Sequence, residues 1–197
     1  MAALVVDAVQ GPTEQDIRLA DRVSAEGAAC VLVINKWDAL PEKDGQTMVG
    51  YERMLRERLR EIDWAPVVFT SATTGQRVAK LMEALAAAGE QHRKRVSTAI
   101  LNQVVRDAVS FKPPPANGVR KGRVYYATQA SVRPPTFVFF CNDPKLFSES
   151  YRRYLERILR ENIGFPGTPV RLMFRGKTTS PPKGGRPPAG TAAPHST

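Results

Sequence analysis

Three apolar runs, each followed by a helical pattern, fill the first 90 residues and constrain the fold more than any other feature of the sequence. The apolar runs are residues 3–6, 28–34 and 66–70, and the helical patterns are residues 14–26, 48–62 and 76–88. This repeated order predicts a parallel α/β sheet with helices packed on it. The first run would form an exposed apolar sheet edge, which proteins normally avoid. We therefore expect this part to be the later half of a larger domain.

Local signals set the helix boundaries and faces of this part. Thr13 and Asp16 have the spacing of a capping box, and Gly27 is a helix stop. The second helical pattern has a stripe of apolar residues at steps of three and four that continues to Ile62. The third helix is predicted to turn four residues inward, namely Val78, Leu81, Met82 and Leu85.

The order of elements changes after a basic linker at residues 91–96. A helix is predicted over 98–109, strands over 123–130 and 136–141, a helix over about 144–162 with Asp143 as its cap, and a strand over 170–174. This α-β-β-α-β order predicts a small α+β domain with its helices on one face of a three-stranded sheet. The predicted domains are therefore 1–90 and 97–176, and the Pro- and Gly-rich residues 177–197 are predicted to be a disordered tail.

The charge of the chain is uneven. The 197 residues carry a net charge of +10. Residues 1–90 hold 10 lysines and arginines against 14 acids, a net of −4, whereas residues 91–197 hold 19 against 5, a net of +14. The second part is thus expected to meet a polyanion, although a basic domain without such a partner stays open.

Other function classes find little support in the sequence. No apolar run approaches the ~20 residues that cross a bilayer, so no membrane partner is expected. Cys30 and Cys141 each lie in an apolar run and are predicted to be buried, reduced thiols. Because they lie far from clustered histidines, no metal site is predicted.

The strongest local motif is Asn35-Lys36-Trp37-Asp38, directly after a buried strand. The Asp38 carboxylate can accept hydrogen bonds from N1–H and the exocyclic amine of guanine, a donor pair that adenine lacks. The aliphatic stem of Lys36 can lie over the purine ring, and Asn35 can brace neighbouring loops. The pattern matches N-K-x-D, the guanine-specificity motif of GTPases.

A second motif, Thr70-Ser71-Ala72, follows the next strand. GTPases carry a Ser-Ala turn at this place, with a backbone N–H directed at guanine O6. Because ligands bind at the carboxyl ends of parallel strands, Ser71 and Ala72 are expected to join the first loop in one guanine site. An ordinary polar loop beside an ordinary turn remains the alternative.

The chain resembles the Der (EngA) family of bacterial and plastid GTPases from about residue 3 to residue 175. The resemblance is carried by residues 33–38, 71–78, 125–129, 133–138, 142–144, 151–156 and 167–171. Members have two consecutive GTPase domains and a C-terminal KH-like domain, and they act in assembly of the large ribosomal subunit. The resemblance implies that this chain is the later half of the second GTPase domain, with a Ras-like P-loop fold, plus the KH-like domain.

The sequence departs from the family in the phosphate-binding motifs. It contains no G-x4-G-K-[S/T], and Asp7 and Gly11 have the wrong spacing for D-x-x-G. We therefore expect no catalytic residue and no GTP hydrolysis by this chain alone, which should bind guanine nucleotide weakly or not at all. GTP or GDP is expected as the cofactor of the complete protein, and Mg²⁺ only there. A fragment of a complete GTPase is the expected interpretation, and a short paralogue is the alternative.

Basic residues without nearby acids are the candidates for rRNA phosphates. They are Arg93, Lys94, Arg95, Arg120, Lys121, Arg123 and Arg133. The arginines of the last helix, at 152, 153, 157 and 160, are expected on its outer side, with glutamates as partners. Of Tyr125 and Tyr126, one is expected to face the core. The Gly164-Phe165-Pro166-Gly167 segment is interpreted as a helix stop rather than a nucleic-acid loop.

The expected partners are the large ribosomal subunit with its rRNA and the chain's own missing GTPase domains. The expected compartment is a bacterial cytoplasm or a chloroplast stroma. Two other hypotheses remain: a stand-alone RNA-binding module with a vestigial nucleotide fold, and an interaction domain that docks another GTPase.

Overall fold

The computed structural model describes residues 1–41, 44, 46–117 and 120–176. The predicted disordered tail and part of the predicted loop at 41–45 lie outside the described residues. No helix in the described ranges is both long and apolar enough to span a membrane.

The first part is a three-stranded parallel sheet with helices on both faces. Its elements are β1 (Ala2–Asp7), α1 (Glu14–Glu26), β2 (Cys30–Asn35), α2 (Thr47–Arg58), β3 (Val67–Phe69) and α3 (Val78–Gln91). The strand order is β1-β2-β3, and Asp7 pairs with Asn35 at the carboxyl ends of the first two strands. β2 is central and buried on both faces, which explains its uninterrupted apolar sequence. The predicted parallel α/β architecture is confirmed.

Helix α1 has the boundaries that the sequence predicts. Thr13 accepts a hydrogen bond from the Asp16 backbone N–H, and the Asp16 carboxylate accepts one from the Thr13 N–H at 2.8 Å. Gly27 ends the helix with a left-handed φ of 70°. Because each cap satisfies backbone groups that the helix itself leaves unpaired, both ends are fixed locally.

The other two helices of this part differ from the prediction. The predicted 48–62 helix ends at Arg58, and a short 3₁₀ turn over Arg60–Ile62 completes the buried stripe. The Arg56 guanidinium binds the carbonyl oxygen of Ala65 at 2.6 Å and thereby holds the following turn against α2. α3 continues to Gln91, so the predicted linker begins inside the helix.

The prediction that Val78 and Met82 of α3 face inward is wrong. Val78 and Met82 are 41% and 62% exposed. Leu81 and Leu85 instead pack against Val31 of the central strand. Because those leucines and the alanines near them occupy the space over β2, Val78 and Met82 are left on the open side of the helix.

The second part has the predicted α-β-β-α-β order with a small hairpin added. Its elements are α4 (Thr98–Phe111), β4 (Ala116–Asn117), β5 (Arg120–Lys121), β6 (Val124–Val132), β7 (Pro135–Cys141), α5 (Glu149–Ile163) and β8 (Arg171–Gly176). The sheet order is β6-β7-β8, antiparallel between β6 and β7 and parallel between β7 and β8. The two-residue strands β4 and β5 form a hairpin within the predicted loop.

Helix α5 begins later than predicted. Asp143 caps only a 3₁₀ turn over Pro144–Leu146, and Ser148 caps the α-helix that starts at Glu149. Phe147 lies between them in an extended conformation and is 2% exposed. The extended backbone at Phe147 lets its ring enter the core between α4, α5 and the sheet. The 3₁₀ turn and α5 are therefore two separate elements.

The two parts meet at the loop between α5 and β8. The Gly167 backbone oxygen accepts from the Cys30 N–H at 2.8 Å, and the Gly167 N–H donates to the Trp64 oxygen at 3.2 Å. Arg171 donates to the Ala25 oxygen at 2.7 Å and so caps the carboxyl end of α1 from the other part. The last turn of α1 has no basic residue of its own, so this arginine supplies the favourable charge.

Candidate guanine site and basic surface

The carboxyl ends of β1, β2 and β3 bring the predicted guanine-site loops together. Asp7 ends β1, Asn35 ends β2, and Thr70 follows β3. The Ala8 N–H donates to the Asn35 oxygen, and the Trp37 N–H donates to the Thr70 oxygen at 3.0 Å. Parallel pairing thus places three separate chain segments at one edge, where α/β folds bind their ligands.

Asn35 joins the two motif loops directly. Its Oδ1 accepts from the Ala72 backbone N–H at 3.0 Å and lies 3.3 Å from the Thr70 hydroxyl, which donates to it. These two contacts are the geometry by which Asn35 can brace the neighbouring loop, as the sequence suggested. In this arrangement the Ala72 amide is engaged by Asn35, so reaching a purine oxygen requires that amide to exchange partners.

The Ser71 turn is held from inside. Ser71 is fully buried, its N–H donates to the Gln76 oxygen, and its Oγ accepts from the Thr74 N–H at 3.2 Å. Gly75 turns the chain with a φ of 75°. These local contacts close the turn, and Ala72 is exposed beside it with only a methyl group as its side chain.

Lys36 forms an ion pair across the strand ends. Its Nζ lies 2.6 Å from Asp7 Oδ2, and its backbone is left-handed with a φ of 61°. Asp7 Oδ1 also accepts from the Val9 N–H at 2.8 Å. The Lys36 side chain, through its hydrogen bond, holds the pKa of the Asp7 carboxyl below its usual value, and Asp7 raises the pKa of Lys36. Both groups are therefore charged at neutral pH.

Trp37 anchors the loop that carries Asp38, and sequence reasoning missed this role. Its ring is 4% exposed, lies 4.4 Å from the Phe69 ring and meets Tyr51 edge-on at 5.7 Å. The Tyr51 hydroxyl donates to the Ala8 oxygen at 3.1 Å, which ties α2 to the end of β1. A large aromatic at the variable position of the motif was the available signal. With Trp37 fixed inward, Asp38 is exposed at the next position of a 3₁₀ turn.

This donor and acceptor set suits a purine base. An exposed carboxylate, a backbone turn and a lysine stem converge at one sheet edge. Within the described ranges, no group of three or more metal-ligating side chains is present. Cys30 and Cys141 are both buried, and burial raises the pKa of the Cys30 thiol to about 11.

The predicted RNA-binding cations fall into separate groups. Arg120, Lys121 and Arg123 lie on or beside the β4–β5 hairpin and are exposed. Asn142 fixes this hairpin to the end of β7, since its side chain accepts from the Arg123 N–H at 2.9 Å and donates to the Lys121 oxygen at 2.8 Å. Arg133 is exposed in the β6–β7 turn at the other end of the sheet.

The three cations of the linker differ in their exposure to solvent. Arg93 and Arg95 are exposed, whereas the Lys94 ammonium donates to the Ile163 oxygen at 2.7 Å and lies 5.6 Å from the centre of the Phe165 ring. Lys94 thus neutralises the carboxyl end of α5. The charge of Lys94 is therefore already engaged within the fold.

The last helix also corrects a prediction. Three of its arginines pair with glutamates four residues away, namely Arg153 with Glu149, Arg157 with Glu161 and Arg160 with Glu156. Arg152 and Arg160 are not on the outer side as predicted. Arg152 lies 4.7 Å from the centre of the Phe174 ring, and Arg160 donates to the Thr168 oxygen. Arg152 also donates to the Phe147 oxygen at 3.0 Å, so both side chains bind carbonyls of the segments that flank the helix.

The prediction for the two tyrosines is wrong as well. Tyr125 and Tyr126 are each 49% exposed, and neither lies in the core. The register shift between Val124 and Tyr126 is the reason, since a bulge adds a residue and breaks strict alternation. The Gly164–Gly167 segment is a helix stop as predicted, with Gly164 as the C-cap of α5.

The comparisons agree with the two-part architecture. Residues 95–175 match the family described as the KH-domain-like region of EngA bacterial GTPase enzymes, C-terminal, and residues 1–90 match the elongation factor Tu GTP binding domain. Among solved structures, the cytosolic domain of the T. maritima FeoB iron transporter aligns with 18% identity and a TM-score of 0.32, covering 81% of this chain and 66% of that chain. A likeness at that level supports no conclusion.

Close relatives exist among curated proteins. The chain is 54% identical over 178 residues to GTPase Der of Synechococcus sp. (strain CC9605) and 55% identical over 178 residues to GTPase Der of Parasynechococcus marenigrum (strain WH8102). Each alignment covers 90% of this chain and 39% of the relative, so the chain spans about two fifths of the length of these proteins. The chain belongs to the GTPase Der (EngA) family, of which it carries a GTPase-type α/β part and the C-terminal KH-like domain.

Proposed function

We propose that this protein is a guanine-nucleotide-binding factor of ribosome biogenesis that acts in assembly of the large ribosomal subunit. In this proposal Asn35, Lys36, Asp38, Ser71 and Ala72 read the guanine base, and the KH-like domain contacts rRNA. The observation that carries the guanine half is the hydrogen bond from Ala72 N–H to Asn35, which joins two loops 37 residues apart into one site. The relatives named GTPase Der support the nucleotide class.

Phosphate and metal chemistry is assigned to the complete protein. The residues that read guanine lie in this chain, whereas it contains no P-loop sequence. We therefore assign GTP or GDP binding and Mg²⁺ to the complete protein, in contact with its further GTPase domains. The proposed compartment, a bacterial cytoplasm or a chloroplast stroma, is supported by the cyanobacterial origin of the relatives.

Base recognition can be tested on the chain itself by saturation-transfer NMR, which detects millimolar binding. We expect transfer to guanosine and at least about tenfold less to adenosine, because only guanine offers two donors to the Asp38 carboxylate. Asp38→Asn should shift the preference to xanthosine, whose C2 oxygen accepts from an amide. Asp21→Asn is the matched control, since Asp21 is an exposed acid on α1 of the same part.

The outcome that contradicts the guanine assignment is equal saturation transfer to guanosine and adenosine in the native chain. A preference for guanosine that survives Asp38→Asn would contradict the role of Asp38 while leaving the site itself intact.

The RNA half rests on the exposed cations around the β4–β5 hairpin. Phosphate contacts release counterions, with a slope of log affinity against log salt of about −0.7 per contact for single strands. Replacing Arg120, Lys121 and Arg123 by glutamine should therefore reduce the slope by about 2. Glutamine at Arg153 and Arg157, which pair with glutamates, is the control and should leave the slope nearly unchanged. Equal effects of both sets would contradict the assignment.

A stand-alone RNA-binding module is the second candidate. It is favoured by the separate core of the KH-like part, which contains fully buried residues from α4, β7 and α5, among them Leu101, Phe137 and Leu155. This candidate predicts salt-dependent RNA binding by the chain without any preference for guanosine over adenosine.

A further inference from the structure

We propose that the outer face of the β6-β7-β8 sheet is a stacking platform for unpaired RNA bases, with the Tyr126–Phe140 pair as its stacking site. The inference rests on the proposed function, because it assumes that this domain meets RNA. It adds a base-contacting surface to the phosphate contacts of the predicted cations.

The pairing register defines the outer face. Ala127, Phe137, Phe139 and Phe174 turn toward α4 and α5 and form the core. The alternate residues turn the other way because side chains alternate across a strand. They form three cross-strand rows, Ser131–Thr136–Arg171, Thr128–Val138–Met173 and Tyr126–Phe140–Arg175.

The third row has the geometry of a stacking surface. The Tyr126 and Phe140 rings lie 4.4 Å apart with an angle of 16° between their planes, and Tyr126 is still 49% exposed. The Phe140 ring thus packs against one face of the Tyr126 ring, and part of the Tyr126 ring remains exposed to solvent. In the neighbouring row Met173 is 45% exposed whereas Val138 is 3% exposed, so Met173 alone of these two extends the apolar surface. A base stacks on such a surface regardless of its identity.

The charge around this row suits a nucleic acid. None of the residues in the three rows is acidic, and exposed Arg175 lies in the same row as the ring pair. The hairpin cations Arg120 and Lys121 stand at the same end of the sheet, because Asn142, two residues after Phe140, binds the Lys121 backbone. Aromatic surface beside guanidinium groups is the combination that binds single-stranded RNA.

The bulge at Tyr125 supplies a matched control. Tyr125 is also 49% exposed, but it is the additional residue of the register shift and has Arg123 over its ring at 5.8 Å. Both tyrosines line a cavity of about 250 Å³ beside α4 with Val105 and Val109, so the cavity does not distinguish them. The two tyrosines are neighbours with equal exposure, yet only Tyr126 is stacked on an aromatic of the sheet face.

The test measures binding of the full 197-residue chain to a twelve-nucleotide single-stranded RNA with 2-aminopurine at its centre. We expect quenching of 2-aminopurine on binding, which reports stacking. Tyr126→Leu should weaken the affinity on the order of tenfold and abolish the quenching. Tyr125→Leu should change the affinity less than about twofold. A duplex of the same length should bind with no difference between native chain and Tyr126→Leu, because its bases are not available.

A second variant guards against misfolding. Tyr126→Phe keeps the ring and removes only the hydroxyl, so it should retain quenching and native affinity, and thermal melts should match for all three variants. The result that overturns the platform is salt-dependent RNA binding that Tyr126→Leu leaves unchanged. The platform is also overturned if Tyr126→Leu leaves RNA binding unchanged and weakens only the binding of a protein domain to this face. Absence of RNA binding by the native chain at low salt overturns the proposed function itself.

Discussion

The two three-stranded sheets in the described part of the chain have edge strands that are completed in different ways. On the edge of β6, the Asn102 side chain accepts from the Ala127 N–H at 2.8 Å and donates to the Ala127 oxygen at 2.9 Å. In the opposite sense, the side chain of Gln129, which lies on β6 itself, binds the backbone of Lys94 and Val96 and ties the linker to this edge. The Asn102 side chain thus takes the place of a neighbouring strand at Ala127, and the small domain satisfies this part of the β6 edge from within.

The parallel sheet does not do this among the described residues. β1 pairs only with β2 in the described part of the chain, and its Val5 is 55% exposed. Met82 of α3 is 62% exposed on the same part. Apolar surface next to an open strand edge is a template for association. The comparison teaches that side chains tie this sheet together at its carboxyl ends, through Asn35 and the Asp7–Lys36 pair, and not along its edge.

The junction between the two parts is the first place to test this comparison, and we expect the largest effect there. Gly167→Ala would place a Cβ 2.5 Å from the Ala88 Cβ and 3.3 Å from the Cys30 oxygen, at a φ of +72°. The left-handed conformation and the overlap together should cost about 2–4 kcal/mol in the free energy of unfolding by urea. A loss of that size would show that docking stabilises the open parallel sheet.

Gly75→Ala is the control for the backbone term. Gly75 has a φ of +75° and no atom within 4 Å of an added Cβ, so only the conformational cost of about 1 kcal/mol is expected. Equal costs at the two glycines would mean that the close approach at Gly167 contributes nothing.

The internally completed edge of β6 is the second test. Asn102→Ala removes both hydrogen bonds to Ala127 and leaves two backbone groups of a buried residue without these partners. We expect a loss of about 2 kcal/mol in the free energy of unfolding. Asn162→Ala is the matched control, because that side chain bonds only to the Ile158 oxygen in its own helix and is exposed. A cost below about 0.5 kcal/mol at Asn102 would refute the edge argument.

A pH effect at the junction is the smallest expected change. The His92 Nδ1 lies 2.6 Å from the hydroxyl of fully buried Thr168. Burial, with a further contribution from positive charges that include Arg133, lowers the pKa of His92 from its ordinary value of 6.5. The folded state therefore prefers neutral histidine, so stability present at pH 7.5 should be lost as the pH falls below about 6.5, since the unfolded chain binds the proton more readily.

Thermal melts at pH 7.5 and pH 5.5 check this prediction. The melting temperature of the native chain should fall on the order of 1–2 °C further between these two pH values than that of His92→Gln, which cannot titrate. An identical pH dependence of the two proteins would contradict the prediction that His92 makes the stability of the junction depend on pH.

Much of the geometry of the candidate guanine site could be predicted, because it depends on topology more than on detail. Once 28–34 and 66–70 are adjacent parallel strands, the loops that follow them must meet at one sheet edge. The pattern could not show that the Ala72 N–H binds Asn35, or that Lys36 turns to Asp7. Those partners depend on the positions of strand ends within fractions of an ångström, which no local pattern contains.

The predictions that failed share a cause. Tyr125 and Tyr126 were expected to alternate, but a bulge in β6 placed both in solvent. Val78 and Met82 continue an apolar stripe, but Leu81, Leu85 and the alanines near them cover the sheet beneath α3. In both cases a periodic rule was overridden by the shape of the surface that the element meets.

The sequence by itself determined the order of the helices and strands, the capping box of α1, the two-part division of charge and the loops that carry Asn35 and Asp38. These features follow from residues close together in the chain. Only the tertiary structure decided which cations remain exposed, how the Tyr126 ring rests on Phe140, and why Gly167 must lack a side chain. The reason is physical: Lys94 and Ile163 are 69 residues apart, and Arg171 and Ala25 are 146 apart. Contacts over such distances exist only when the whole chain is packed.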